Sequence, residues 1–158
     1  MSEQHYIFGY GSLISSSSRR ITGIAGDSLA VRVHGLERTW VSWKGTKMRA
    51  VAARVMPNAL CNGVLFEVPE SELENFDERE THYVRTQLSH DQIAYLPGYA
   101  ALALNSKVWV YLYDHDKHGL QNAPIVQSYL DVILLGCHEI SPHFAQEFIQ
   151  HTLNWENW

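Results

Sequence analysis

Tyr6-Ile7-Phe8-Gly9-Tyr10-Gly11-Ser12-Leu13 passes from an apolar run into a glycine-punctuated turn. Read as a strand ending in that turn, it forms a backbone anion socket. Glycine accepts angles that strain residues bearing a Cβ, so Gly9 and Gly11 let consecutive N–H groups turn toward one point beyond the strand end. A carboxylate or phosphate is what such donors bind. Ser12 can add its hydroxyl, and if a helical turn follows, its side chain can cap that turn while the dipole favours an anion. The same residues also suit a tight turn that holds no ligand, so the rest of the chain has to decide between the two.

Outward from the strand at 6–10, short runs rich in Val, Trp or Phe recur at 29–34, 38–43, 48–56 and 63–68. Gly35, Gly45-Thr46 and Pro57-Asn58 separate them, which predicts antiparallel hairpins. Two later strands are expected at 82–88 and 107–113. Helical periodicity marks 70–80, then 124–137 with Pro124 at its start and Gly136 at its end, then 142–153 behind Ser141 as cap. In the last of these Phe144, Phe148 and Trp155 form one stripe. Strands predominate and helices cluster late, so the expectation is an α+β fold: a mixed, partly closed, barrel-like sheet with flanking helices, in one domain over 1–158. The run Ser15 to Ser18 reads as a solvated loop.

Composition excludes several function classes. With a formal net charge of −5 and Arg19-Arg20 as the nearest approach to a basic cluster, the chain offers no surface for nucleic acid or for an anionic membrane. No apolar run approaches the roughly 20 residues of a spanning helix, and Met1-Ser2-Glu3-Gln4-His5 lacks signal-peptide character, so a cytoplasmic protein is expected. Cys61 and Cys137 have no Cys-x-x-Cys pairing and are expected as buried thiols. Asp114-His115-Asp116-Lys117-His118 contains metal-ligating residue types but sits among turn-formers and reads as a polar loop. No metal and no cofactor are expected, and oligomeric state is left open.

One carboxylate stands out. Ser71 and Glu74 have capping-box spacing, which predicts a helix beginning there. At about 100° per residue, Leu73 and Phe76 define its buried stripe and Glu80 falls within roughly 40° of both, while Glu78 points to solvent and Asp77 lies at the stripe's edge. Burial raises a carboxylate's pKa, which suits it to general acid–base work near neutral pH. Glu80 is therefore the candidate catalyst; alternatively the helix ends at Arg79 and Glu80 turns outward into a salt bridge. Tyr83 and Arg85 share a face of the following strand and either orient Glu80 or pack.

The order of these features resembles the γ-glutamylcyclotransferase-like family. Tyr10-Gly11-Ser12-Leu13 is similar to that family's substrate loop, and Phe8-Gly9 before it with Ile14 after it is nearest to the ChaC-type branch. Gly35 and Arg38 resemble the next landmark. The run Gly63-Val64-Leu65-Phe66-Glu67-Val68 resembles the strand before the catalytic helix, and Leu73, Asp77, Arg79, Glu80 and Tyr83 resemble the catalytic pattern itself. Tyr111 is similar to a substrate-contacting tyrosine, and Ala123-Pro124, Tyr129 and Gly136-Cys137 resemble the tail of other members. The segment 43–53 lacks the His-Arg-Gly element of the ChaC-type branch, so the resemblance does not extend to glutathione specificity.

The resemblance implies a γ-glutamyl cyclotransferase without a cofactor. The substrate's α-amine attacks its own γ-carbonyl, 5-oxoproline closes, and an amine or amino acid leaves. It implies Glu80 as general acid/base, Tyr10, Gly11, Ser12 and Leu13 as the grip on the glutamyl α-carboxylate, and Tyr111 as a wall of the pocket. Ser12 as a hydrolase nucleophile lacks the flanking glycines of Gly-x-Ser-x-Gly, since Tyr10 and Ile14 stand there. A dinucleotide loop lacks its third glycine. The rival from another class is a non-catalytic small-molecule-binding or interaction module on the same fold.

Overall fold

The computed structural model describes residues 3–23, 27–42, 47–113 and 123–155. Strand β1 (His5–Gly9) lies inside a mixed sheet. It runs antiparallel to β3 (Ala50–Val68) on one side and parallel to β6 (Lys107–Tyr113) on the other. Strand β2 (Ser28–Val41) pairs with β3, β4 (Tyr83–Leu88) with β6, and β5 (Ile93–Tyr95) with β2. The order is β4-β6-β1-β3-β2-β5, with the short β7 (Thr152–Leu153) alongside β2. The helices are α1 (Ser16–Ile21), α2 (Leu73–Arg79), α3 (Gln127–Ile140) and α4 (Pro142–Gln150). The α+β class, mixed sheet and flanking helices are as expected, and the sheet is open, with β4 and β5 at its edges among the described residues.

Expected turns became bulges. Gly35 adopts φ +85 and Asn58 φ 70, both left-handed, and the β2–β3 register shifts between His34 and Leu36. The turn-forming residues therefore bend two long strands where reversals were predicted, joining 29–34 to 38–41 and 50–56 to 63–68. Gly45-Thr46, Asp114 to His118 and residues 156–158 lie outside the described residues. The serine run is also corrected: α1 starts at Ser16, because buried Arg19 ties the segment down by bonding the carbonyls of Leu13 and Ile14.

Gly136 does not end its helix, since α3 continues to Ile140. A Cβ there would lie 2.5 Å from the Ser15 amide nitrogen, so this glycine lets α3 press onto the chain just after the glycine loop. Ser141 caps α4 as expected, accepting from the Phe144 amide at 3.1 Å. Trp155 packs edge-on against Trp40 at 5.4 Å and Phe148 at 6.4 Å between ring centroids, which settles that residue of the aromatic tail onto the core.

Gly63 allows β3 to approach β1. A Cβ on it would sit 2.4 Å from the Gly9 carbonyl oxygen and 2.6 Å from Phe8 Cε1, and neither atom is the end of a flexible chain. Gly63→Ala is expected to cost about 3 kcal/mol, the upper range for overpacking. Urea unfolding would read this as a lower midpoint at unchanged slope; an unchanged midpoint would show the strands are not held this close.

Candidate active site

The loop after β1 turns through a 3₁₀ turn at Ser12–Ile14. Its carbonyls are all accounted for from the protein side. Arg38 donates to the Tyr10 carbonyl at 3.2 Å, the Ile14 and Ser15 amides donate to Gly11 and Ser12 at 3.0 and 3.1 Å, and Arg19 donates to Leu13 and Ile14 at 2.8 Å each. The amides of Gly11, Ser12 and Leu13 have no backbone acceptor among the described residues. These three residues are half-buried at the loop, so their N–H groups form a row of donors open to a ligand. Neither Gly9 nor Gly11 has positive φ. Gly9 is needed for space, since a Cβ on it would lie 3.0 Å from Leu13 Cβ and 3.1 Å from Phe66 Cε1.

The two arginines behind the loop are themselves buried, Arg38 at 0% exposure and Arg19 at 5%. Desolvation lowers the pKa of both. Arg38 is held by Asn62 through its carbonyl and Oδ1, both at 2.7 Å, by Thr152 Oγ1 at 2.8 Å, and by the face of Phe148, whose centroid is 3.9 Å from the guanidinium carbon.

A cavity of about 270 Å³ opens against this loop, lined by Tyr10, Gly11, Ser12 and Leu13 and by Glu80, Tyr83, Tyr111 and Tyr129. The sequence-predicted residues therefore meet in one place. Helix α2 ends at Arg79, as in the alternative reading, but half-buried Glu80 at its C-cap lines the cavity and forms no salt bridge among the described residues. The predicted capping box is absent. A 3₁₀ turn at Glu70–Glu72 already contains Ser71, and Glu72 precedes the helix without a side-chain cap. Leu73 and Phe76 are buried and Glu78 is exposed, as the periodicity predicts.

Burial raises the pKa of Glu80, opposed by the charge of Arg79. The tyrosines around it stay protonated. Burial, then Tyr83 and Glu80, hold Tyr10 well above the usual range; burial, then Tyr129 and Glu80, do the same for Tyr83. Burial pushes Tyr129 to about 12, helped by Glu80 and opposed by hydrogen bonds at Val51 and Ser12. A phenol has one proton to give. Tyr10 gives its proton to the Tyr111 carbonyl, Tyr83 to the Val51 carbonyl at 3.0 Å and Tyr111 to Asp77 Oδ1 at 2.8 Å. One wall of the cavity thus has donor character and the other is anionic and accepting, an arrangement that suits a ligand carrying carboxylate and ammonium together.

The sequence reading did not assign Tyr129 or Val51 to the site. Tyr129 lies in the first turn of α3 and is braced edge-on by Trp40 at 6.0 Å, a contact between distant segments without a local signature. Cys61 and Cys137 are buried thiols as expected, with pKa raised by desolvation in both and to about 12 in Cys137. Among the described residues no helix is long and apolar enough to cross a membrane.

The family described as Gamma-glutamyl cyclotransferase, AIG2-like matches residues 7–129. No curated protein matches the chain by sequence. Among solved structures, the chain is similar to one named Gamma-glutamyl cyclotransferase, at 17% identity and a TM-score of 0.73, covering 96% of this chain and 90% of that one. It is similar to the uncharacterized protein loc79017 from Homo sapiens at 17% identity, TM-score 0.69, covering 97% and 90%. It also resembles a glutathione-specific γ-glutamyl cyclotransferase from yeast at 12% identity, TM-score 0.52, covering 94% and 90%. At such identities the structural likeness shows the fold, while the family match spans β1, the glycine loop, α2 and the first turn of α3. The chain belongs to the Gamma-glutamyl cyclotransferase, AIG2-like family.

Proposed function

We propose that the protein is a γ-glutamyl cyclotransferase, converting a γ-glutamyl amine, amino acid or peptide to 5-oxoproline and the released amine. The observation that carries this reading is the shared cavity: a half-buried Glu80 of raised pKa lines it together with Gly11, Ser12 and Leu13, whose amides have no backbone acceptor among the described residues. The amides hold the glutamyl α-carboxylate. That grip brings the α-nitrogen near the γ-carbonyl, and fixing a near-attack geometry can supply several kcal/mol of the barrier. Glu80 takes a proton from the α-ammonium. The freed amine attacks the γ-carbonyl carbon, Glu80 gives the first proton to the departing nitrogen as its C–N bond breaks, and the ionised carboxylate then takes the second proton from the ring nitrogen and passes it to the same amine. Overall the α-nitrogen loses two protons and the departing amine gains two, leaving as an ammonium ion. Tyr111 closes the pocket over the glutamyl group.

Incubation with γ-glutamyl amino acids, γ-glutamyl amines and glutathione, followed by chromatographic detection of 5-oxoproline, tests the proposal. No product from any member, together with retained binding, would replace the enzyme by a binding module.

The pH profile follows from the electrostatics. Glu80 must be ionised to accept a proton, so kcat/KM rises with pH through an acid limb set above the ordinary glutamate value of about 4.3. Arg79 favours the ionised form, so Arg79→Gln is expected to move that limb to higher pH. A limb that stays put in this variant would contradict Glu80 as its source.

A further inference from the structure

Asp77 precedes Glu80 by about one helical turn on α2, and its carboxylate is held from two sides. Arg85 donates Nε to Oδ1 at 2.8 Å and an NH2 hydrogen to Oδ2 at 3.2 Å, while the Tyr111 hydroxyl donates to Oδ1 at 2.8 Å. The guanidinium lies over Trp109, 4.5 Å from the ring centroid. The sheet imposes this arrangement. Arg85 and Tyr111 are register partners on β4 and β6, and Trp109 is on the same face of β6 two residues earlier. With its proton given to Asp77, Tyr111 can offer the Glu80 cavity only a lone pair. Burial first, then the hydrogen bond and charge of Asp77, keep it a phenol. Arg85 in turn balances Asp77, so that a second uncompensated carboxylate does not stand beside Glu80.

We propose that Asp77 and Arg85 are positioning residues that fix Tyr111 as a hydrogen-bond acceptor for the substrate's ammonium, making the wall beside Glu80 selective for a ligand that carries that group. This inference rests on the cyclotransferase reading of the same cavity. It gives Asp77→Leu a specific consequence. Oδ1 accepts from both Arg85 Nε and the Tyr111 hydroxyl, and leucine has no acceptor to replace it. Tyr111 then loses the group that takes its proton, and that proton is free to turn into the cavity, where it opposes an ammonium.

The test compares a γ-glutamyl amide with the corresponding glutaryl amide, which has the same skeleton without the amino group and cannot cyclise. KM is measured for the first and the competitive inhibition constant for the second. Asp77→Leu and Tyr111→Phe are each expected to raise KM about 10- to 100-fold, the loss of one hydrogen bond to a charged group, and to leave the glutaryl constant unchanged. The double variant is expected to be no worse than Tyr111→Phe alone, because both changes remove one interaction. If turnover exists but both constants rise together, or the two effects multiply, the inference is wrong and the cyclotransferase reading survives. A wild-type protein that forms no 5-oxoproline from any γ-glutamyl compound overturns that reading, and the inference with it. The glutaryl constant also reports whether each variant is folded, and Tyr111→Phe keeps the ring should Asp77→Leu fold poorly.

Discussion

Glu80→Gln is expected to slow 5-oxoproline formation about 10³-fold and, in the same protein, to raise Tm at neutral pH. The first effect follows from removing the group that carries the proton from the α-nitrogen to the departing nitrogen. Glutamine keeps the shape and can still line the pocket, so the loss falls mainly on kcat. The second follows from linkage. Burial raises the pKa of Glu80, so the folded protein prefers the protonated carboxyl more than the unfolded chain does. Below the unfolded-state value of about 4.3 there is no penalty for folding. As pH rises from there through the raised folded value, stability falls, and above that value the deficit is constant. Glutamine is neutral throughout and escapes it. The gap in Tm between variant and wild type should therefore open across that window and close in acid, a trade of stability for activity of the kind active sites often show. Equal turnover in the variant would remove Glu80 from the mechanism. Retained ligand affinity in a protein that never formed 5-oxoproline would favour the binding module.

What could be read in the chain beforehand depended on how local the determinants were. The strand at 107–113, the Ser141 cap and the buried stripe formed by Leu73 and Phe76 were legible, because each is set by residues within a turn or two of one another. Gly35 and Pro57-Asn58 were misread as reversals since left-handed residues serve a turn and a bulge equally; only the partner strand decides, and here β2 and β3 run on past both. Gly136 looked like a helix end, yet its reason is the backbone of Ser15, remote in sequence. The site divided in the same way. Tyr10 to Leu13 and Glu80, singled out by motif and periodicity, line one cavity. The direction of each tyrosine proton depends on the carbonyls of Val51 and Tyr111 and on the carboxylate of Asp77, which only the folded sheet brings near.

Arg38→Met is expected to destabilise the protein by about 4 kcal/mol and to weaken substrate binding, although Arg38 does not line the cavity. Its guanidinium is fully buried and bonds the carbonyl of Tyr10, the carbonyl and side-chain oxygen of Asn62, and Thr152. Methionine fills much of the volume and can still pack on Phe148, so the cost is largely that of acceptors left buried without donors. Each such group costs about 1–3 kcal/mol, and relief from burying a charge offsets part of the total. Arg38→Lys keeps the charge but has a single nitrogen to spread over acceptors on β3, β7 and the glycine loop, so it should recover only part of the loss. The link to function runs through Tyr10. Its carbonyl is turned away from the cavity by Arg38, and once released it is free to rotate the peptide whose N–H belongs to Gly11, the first donor of the row. KM for a γ-glutamyl substrate should therefore rise in both variants under conditions where each is folded, with kcat changing less than in Glu80→Gln. Urea unfolding and steady-state kinetics on the same preparations separate the two effects. A variant that loses stability at unchanged KM would show that Arg38 supports the fold without shaping the loop.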